Sequence, residues 1–429
     1  MNETKNYRCL RIAVICSQYP VASETFIRAQ VVTLLRRGHD VHIFAHVFGS
    51  YTPPHSLLDA EIAKRTHYTH WPTRGGAVFQ IAKALLVVTL RALSAPRVAW
   101  PALKNLRHLF TTSSVPHYFR SIEFWSCPDF DVILSHFGHV GKQIAEMASL
   151  GMLSGKLVTV LHGEDVSKYL RNHGKNAYIT LFNRNDLLLP VSQHWANVIQ
   201  AAGCQPHKIL VQHMGIDTQH LDFEPRSRRL NSKVGFISVC RLVEKKGLEF
   251  ALRAIAMIKD KFQSEATYTV IGDGPLRSEL EALSQSLGLA GCVQFAGWRS
   301  HDETLNALKA SHILVAPSVT AADGDMEGIP VSIMEAMASG LPVISTFHSG
   351  IPELIEDGIS GVLVKERDIT ALAAAIERLL VKTENWAHIG QAARLRVEAL
   401  FDNHALGVQL EQRLASLVNA DHLQATSQP

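Results

Sequence analysis

Glu327 and Glu335 are separated by seven residues, Gly-Ile-Pro-Val-Ser-Ile-Met, and the chain continues through Ala-Met-Ala-Ser to Gly340. Pro330 suits the first position of a helix, where a missing N–H costs nothing. Gly340 suits the left-handed stop just past its end. Glu327 then sits in the loop before the helix, and Glu335 about two turns in, at ~1.5 Å of rise per residue. Helical side chains lean toward the N-terminus, so both carboxylates can approach one ligand there. The free N–H groups of the first turn favour an anion at the same place. Two carboxylates beside an anion site fit a ligand rich in hydroxyls that also carries phosphate, such as a nucleotide sugar.

Further candidates surround this pair. Arg241, expected at a strand end, and Lys246, opening the next helix, would converge on a diphosphate, one as a planar fork and the other as a point charge. The plain alternative is a solvated loop pair, and Lys245 is the neighbour expected to face solvent. The Gly272-Asp-Gly-Pro275 turn either lets backbone approach a ligand or is an ordinary tight turn. Glu335 would hold a ribose diol. Val331, Ile333, Met334, Ala336, Met337 and Ala338 leave its helix little polar surface, so a carboxylate there needs a partner. Glu327 would accept hydrogen bonds from the transferred sugar or stand near its anomeric carbon, unless it only complements the helix dipole. His162, followed by Gly163 at a strand end, would reach the sugar from across a cleft. His136 is a lesser candidate of the same kind. Asp323-Gly324-Asp325 reads as turn chemistry, and no metal is expected.

Short β-rich runs alternate with helical patterns along the whole chain. The expected strands are residues 11–16, 40–45, 132–135, 156–161, 187–191 and 209–213, then 234–240, 267–271, 293–295, 313–316, 342–345 and 362–364. Many are near-continuous apolar runs, as in parallel strands buried on both faces. At 429 residues the chain exceeds one ordinary core. The pattern predicts an α/β protein of two doubly wound domains, 1–215 and 216–395, with a helical segment at 396–420 packing back on the first. Ligands of open α/β sheets bind outside the carboxyl ends of the strands. The candidate residues fall there in both halves, which predicts a cleft between two facing domains.

Net charge is +3, which gives no bulk argument for nucleic acid. The six cysteines are scattered with no CxxC pair, so a reduced, cytoplasmic protein without structural zinc is expected. The N-terminal apolar run leads into a fold element and lacks a signal-peptide layout. No acidic residue occurs between Glu61 and Glu123, whereas nine basic ones do. Residues 77–90 are apolar but shorter than the ~20 residues of a membrane span. The basic residues, interleaved with Trp71, Phe79, Trp100 and Phe110, read either as a face resting on an anionic membrane or as solvated helix surfaces.

The stretches SVCRLVEKKGLEFAL (238–252), VIGDGPLRSELE (270–281), VQFAGW (293–298), LVAPS (314–318) and EGIPVSIMEAMASGLPVISTFHSGIPELIEDGISGVLV (327–364) resemble the retaining glycosyltransferases of family 4, which share the GT-B fold. YPVASETFIRAQVVTLLRRGHDVHIF (19–44), DFDVILSHFG (129–138) and KLVTVLHGEDVS (156–167) are similar to its colanic-acid and exopolysaccharide branch. The resemblance implies sugar transfer from a UDP- or GDP-sugar to a lipid-linked or glycan acceptor, with retained anomeric configuration and no further cofactor. Together with the cysteine and charge readings, the leading expectation is a cytoplasmic protein in peripheral contact with the inner face of the cytoplasmic membrane. The resemblance assigns Arg241 and Lys246 to the diphosphate and Glu335 to the ribose. Glu327, with the backbone of Gly328, Ile329 and Pro330, is assigned to the donor sugar, and His162 to the same sugar from the other domain. One departure stands out. The loop at 17–26 carries Ser23, Glu24 and Thr25 where many relatives have a glycine pair, which suits it to reading the acceptor. A GT-B-like nucleotide-sugar epimerase and a non-catalytic nucleotide-sugar-binding protein are the alternatives.

Overall fold

The computed structural model describes residues 8–21, 24–49, 57–69, 115–125, 127, 129–228 and 232–426, with isolated positions between 79 and 104. Trp71, Arg74, Lys83, Arg91, Arg97, Trp100, Arg107 and Phe110, on which the membrane expectation rests, lie outside the described residues. No helix among the described residues is long and apolar enough to cross a membrane.

The first half holds β1 (Arg11–Tyr19), β2 (Asp40–Phe48), β3 (Thr66–Tyr68), β4 (Val132–His136), β5 (Lys156–Leu161) and β6 (Leu187–Pro190). The second holds β7 (Val234–Val239), β8 (Ala266–Ile271), β9 (Val293–Gly297), β10 (Ile313–Ala316), β11 (Val343–Thr346) and β12 (Val362–Val364). The sheet orders are β3-β2-β1-β4-β5-β6 and β12-β11-β10-β7-β8-β9, with parallel pairing throughout. Counted from its own first strand, each half has the doubly wound order 3-2-1-4-5-6. The order reverses between β1 and β4 in one half and between β7 and β10 in the other. Those two switch points face the cleft, and this is the GT-B architecture.

The apolar runs became strands because helices cover both sheet faces. Ile133 and Leu134 in β4, and Ile313, Leu314 and Val315 in β10, are fully buried. Two expectations changed. Residues 209–213 form no regular strand: Leu210 and Gln212 donate to the Leu188 and Pro190 carbonyls along β6, and pairing stops there. β3 was not foreseen, since Thr-His-Tyr is short, polar and half-buried at the sheet edge.

The chain crosses between the halves twice, and the crossings touch. Ile216 donates to the Phe401 carbonyl and Asn403 donates to the Ile216 carbonyl, both at 2.9 Å. The Trp386–Leu400 helix belongs to the second half, where Gly390 packs on the Gly340 backbone. The Asn403–Thr426 helix returns to the first, inserting Leu410, Leu414 and Ala415 into its core. Arg37 and His39 both bind the buried Glu411, fixing the return.

Candidate functional site

The helix after the first glutamate spans Val331–Ala338. It starts one residue later than expected: Pro330 is the extended residue ahead of it, whose carbonyl accepts from Ile333 at 3.1 Å. Gly340 takes φ +86°, the left-handed stop. Glu335 lies on the second turn and is only 8% exposed. Burial pushes its carboxyl up to about 7. His301 stands beside it, with Nδ1 at 3.7 Å.

Glu327 is buried and its Oε1 lies 2.7 Å from Lys246 Nζ. Burial pushes this carboxyl up, but Lys246 and Lys245 outweigh it and hold the group below the usual carboxylate range. The Glu327 backbone is fixed as well. Its N–H donates to His348 Nε2 at 3.0 Å, and its carbonyl accepts from Ser349 Oγ at 2.6 Å. Because Nε2 accepts, the proton of a neutral His348 sits on Nδ1, facing Glu366 Oε1 at 2.6 Å. No role was foreseen for His348 or Glu366, because their meaning lies in contacts to chain segments far from their own.

Lys246 closes the turn Glu244–Lys246, and Gly247 opens the helix Leu248–Met257 at φ +65°. A Cβ on Gly247 would lie 2.0 Å from the Pro317 carbonyl oxygen. That close approach brings the lysine onto the β10 loop that carries Glu327. Arg241 is exposed at the end of β7. Lys245 does not face solvent as expected: it pairs with Asp325 at 3.0 Å. Asp323 accepts from the Asp325 N–H, the turn chemistry expected, and pairs with Lys168 of the first half at 2.8 Å. The glycine at 272 has a nearer cause than ligand approach. At φ +128° its Cβ would lie 1.8 Å from the Cys240 carbonyl oxygen.

His162 and His136 meet across the ends of β5 and β4, with Nε2 and Nδ1 3.1 Å apart. Burial lowers both, His136 to about 3, and His136 lowers His162 further. Both rings are neutral at physiological pH and exchange hydrogen bonds rather than charge. Asp165, not singled out from sequence, ties the two loops together. One of its oxygens accepts from His162 and Gly163 N–H, the other from Gly138 N–H. Phe137 between them takes φ +72°, a conformation that persists only where surroundings impose it.

The two halves close on each other at this point. A Cβ on Gly328 would lie 2.4 Å from the His162 carbonyl oxygen, and one on Gly163 would lie 3.0 Å from the Gly328 nitrogen. Glu353 of the second half accepts from the Gln193 and His194 N–H groups at the start of the Gln193–Ala201 helix, and pairs with His213 at 3.0 Å. Beside the junction a cavity of about 400 Å³ is lined by Ser17, Glu24, His139, Lys168 and Tyr169 among others. Burial pushes the Glu24 carboxyl up to about 7.

Lys246, Glu327, Gly328 and His162 are thus brought into one cluster. Glu335 stands two turns along the helix that follows, and Arg241 at the exposed edge. Such a site can hold a dianionic phosphate chain beside a hydroxylated ring while excluding water.

The Glycosyltransferase Family 4 model matches residues 23–220, and the Glycosyl transferases group 1 model matches residues 222–396. The chain is 36% identical to the amylovoran biosynthesis glycosyltransferase AmsK of Erwinia amylovora, over 95% of this chain and 100% of that protein. It is 35% identical to the putative colanic acid biosynthesis glycosyltransferase WcaL of Escherichia coli K12, with the same coverage of each. Its fold matches that of Anabaena HepE, solved in complex with UDP and glucose, with TM-score 0.68 at 20% identity, over 95% of this chain and 100% of that one.

Proposed function

The chain belongs to glycosyltransferase family 4, and we propose that it moves a sugar from a nucleotide sugar to a lipid-linked glycan during assembly of an exopolysaccharide of the amylovoran or colanic-acid kind. The observation that carries this reading is the cluster in which Lys246 meets Glu327 under the His162–Gly163 loop. A UDP- or GDP-sugar lies along the second half, and no further cofactor takes part. Glu335 accepts the ribose hydroxyls, and Arg241 and Lys246 hold the diphosphate. Glu327 and the backbone of Gly328, Ile329 and Pro330 hold the sugar. His162, a neutral ring with His136 behind it, adds a hydrogen bond from the opposite wall. The acceptor sugar enters beside Ser17, Glu24 and His139.

Transfer retains the anomeric configuration. The acceptor oxygen bonds to the anomeric carbon on the face the diphosphate leaves. The sugar–phosphate electron pair departs with the phosphate, which takes the acceptor proton. Arg241, Lys246 and the helix N-terminus stabilise the developing charge, so no metal ion is needed for the step. Closure excludes the water that would hydrolyse the donor. The protein works at the cytoplasmic face of the membrane, where a lipid-linked acceptor presents its sugars.

Both closely matching relatives are named as transferases, which favours transfer over epimerisation or simple binding. A calorimetric screen of UDP-, GDP- and ADP-sugars, followed by incubation with extracted lipid-linked glycan and NMR of the new linkage, tests the reading. Interconversion of free nucleotide sugars with no glycan product would overturn it.

A further inference from the structure

We propose that His42, His67 and Cys127 bind one divalent transition-metal ion, zinc by the chemistry of the donor set, at the end of the first sheet remote from the transfer cleft. His42 Nδ1 lies 3.1 Å from His67 Nε2, Cys127 Sγ lies 3.9 Å from the same nitrogen, and all three donor atoms fall within 4.8 Å of one another. Around one tetrahedral zinc, bond lengths near 2.0 Å to nitrogen and 2.3 Å to sulfur put ligand atoms roughly 3.3–3.7 Å apart. The 3.9 Å sulfur–nitrogen gap closes by a few tenths of an ångström, and the widest pair, within 4.8 Å, closes by a side-chain adjustment of about 1 Å. Two imidazoles and a thiolate are the ligands zinc selects, and three protein ligands leave a fourth position for water.

The surroundings fit the same purpose. Asp40 places Oδ1 3.4 Å from His42 Nε2, the ring nitrogen facing away from the cluster. A carboxylate on the outer nitrogen is the usual support for a metal-bound imidazole. Arg11 and Arg65 both pair with Asp40, at 2.9 and 2.7 Å, so their charge is taken up there. Phe44 stacks on His67 at 4.9 Å and Phe130 stands edge-on to His42, so one side of the cluster is apolar. A plain hydrogen bond between two neutral rings accounts for the 3.1 Å contact. It does not account for a cysteine brought to the same point from sixty residues away, nor for the carboxylate behind His42.

An open fourth position is the pattern of catalytic rather than closed structural zinc sites, but the distance from the transfer cleft gives this ion a bracing role. His42 pairs in register beside Ala13, four residues before Ser17 of the cleft, or roughly 13 Å at 3.3 Å per residue. Cys127 follows the Val115–Trp125 helix and precedes β4. The ion therefore pins that helix end to the β2–β3 edge and takes no part in transfer. Local spacing such as CxxC gives no hint of it, because the ligands come from three separate segments.

The test uses the full chain without a histidine tag, since 22 histidines already offer weak sites. Dialysis against buffered free zinc followed by elemental analysis should show one zinc per chain. Cobalt-loaded protein should show tetrahedral d–d bands and a thiolate-to-cobalt charge-transfer band. Cys127→Ser should abolish that band, and Cys127→Ser and His67→Gln should each weaken zinc binding at least tenfold, with transfer activity unchanged. Absence of retained zinc, a cobalt spectrum without the thiolate band, or zinc binding by both variants as tight as that of the wild type would overturn the proposal. The cobalt spectrum of the wild-type protein decides even where a variant fails to fold.

Discussion

The Lys246 ammonium lies 2.7 Å from Glu327 Oε1, so the residue assigned to the leaving diphosphate neutralises the one assigned to the sugar. Their side chains are 18% and 8% exposed, and burying either charge alone is costly. On the proposed assignments, donor binding divides the pair, giving the ammonium to phosphate and the carboxylate to sugar hydroxyls. Lys246→Ala should therefore lower stability by about 3 kcal/mol and kcat/KM by roughly 10²–10³-fold. The double variant with Glu327→Gln should lose much less stability than the sum of the single changes. Glu327 is held below the usual carboxylate range, so the stability it contributes is present at neutral pH and is lost as pH falls through that range. Denaturant melts of the four proteins check this, and additive losses would show that the pair is not coupled.

Glu335 behaves in the opposite sense. Its carboxyl is raised to about 7 by burial, so folding binds its proton more tightly than the unfolded chain does. Stability from this group is present below the ordinary carboxylate value and falls as pH rises toward 7. A ribose diol donates to the ionised form, so donor affinity should climb with pH up to about 7, by at most about tenfold per unit, and then level off. Glu335→Gln should flatten that profile, weaken the donor, and raise Tm at pH 8. Calorimetric titration of nucleotide at pH 5.5, 6.5, 7.5 and 8.5 measures it. A wild-type profile without slope would remove Glu335 from the ribose.

Gly328→Ala tests closure of the halves. Its Cβ would press on the His162 carbonyl oxygen from 2.4 Å, a clash between domains rather than within one. Activity should fall at least tenfold while Tm shifts by no more than a few degrees, because each half keeps its own core. Solution scattering should show a more open molecule. Full activity from this variant would mean that the closed junction is not the working state.

How much of this was legible follows from where each signal resides. β4, β5, β10 and β12 were visible because burial on both faces demands unbroken apolar runs. β3 was hidden because an edge strand of Thr66, His67 and Tyr68 carries no such run. Glu327, Glu335, Arg241 and Lys246 were nominated by short contiguous motifs whose turn residues fix their placement. The partners that hold them were not. His348 reaches Glu327 over 21 residues, and Lys245 reaches Asp325 over 80. Asp165 organises two loops through backbone N–H groups, which every sequence position possesses. Contacts of this kind are written in topology rather than in local pattern.

Chelation separates the reaction from the proposed remote ion. The carboxylates of the Asp323–Asp325 turn are already engaged by Lys168 and Lys245, and in the proposed mechanism Arg241 and Lys246 supply positive charge to the diphosphate. The initial rate should persist in EDTA, while prolonged chelation should lower only Tm by stripping the His42, His67 and Cys127 site. Strict dependence of the rate on Mn²⁺ or Mg²⁺ would overturn metal-free transfer.

Glu24 offers the sharpest test of the acceptor side. It sits ahead of the Thr25–Arg36 helix and lines the first-domain cavity with Ser17 and His139. Ser17 Oγ and His139 Nε2 lie 3.1 Å apart, so the wall beside the carboxyl is already organised. A carboxyl raised to about 7 by burial changes its protonation across the working range. In the proposed acceptor site its ionised form would accept a hydrogen bond from an acceptor hydroxyl and orient that oxygen toward the donor. Glu24→Gln should raise acceptor KM about tenfold and leave nucleotide affinity within twofold, because the two ligands are proposed to lie on opposite walls. Acceptor kcat/KM of the wild type should rise with pH through about 7, and the glutamine variant should lose that rise. If the change weakened the nucleotide as much as the acceptor, Glu24 would belong to the donor site and the acceptor would enter elsewhere.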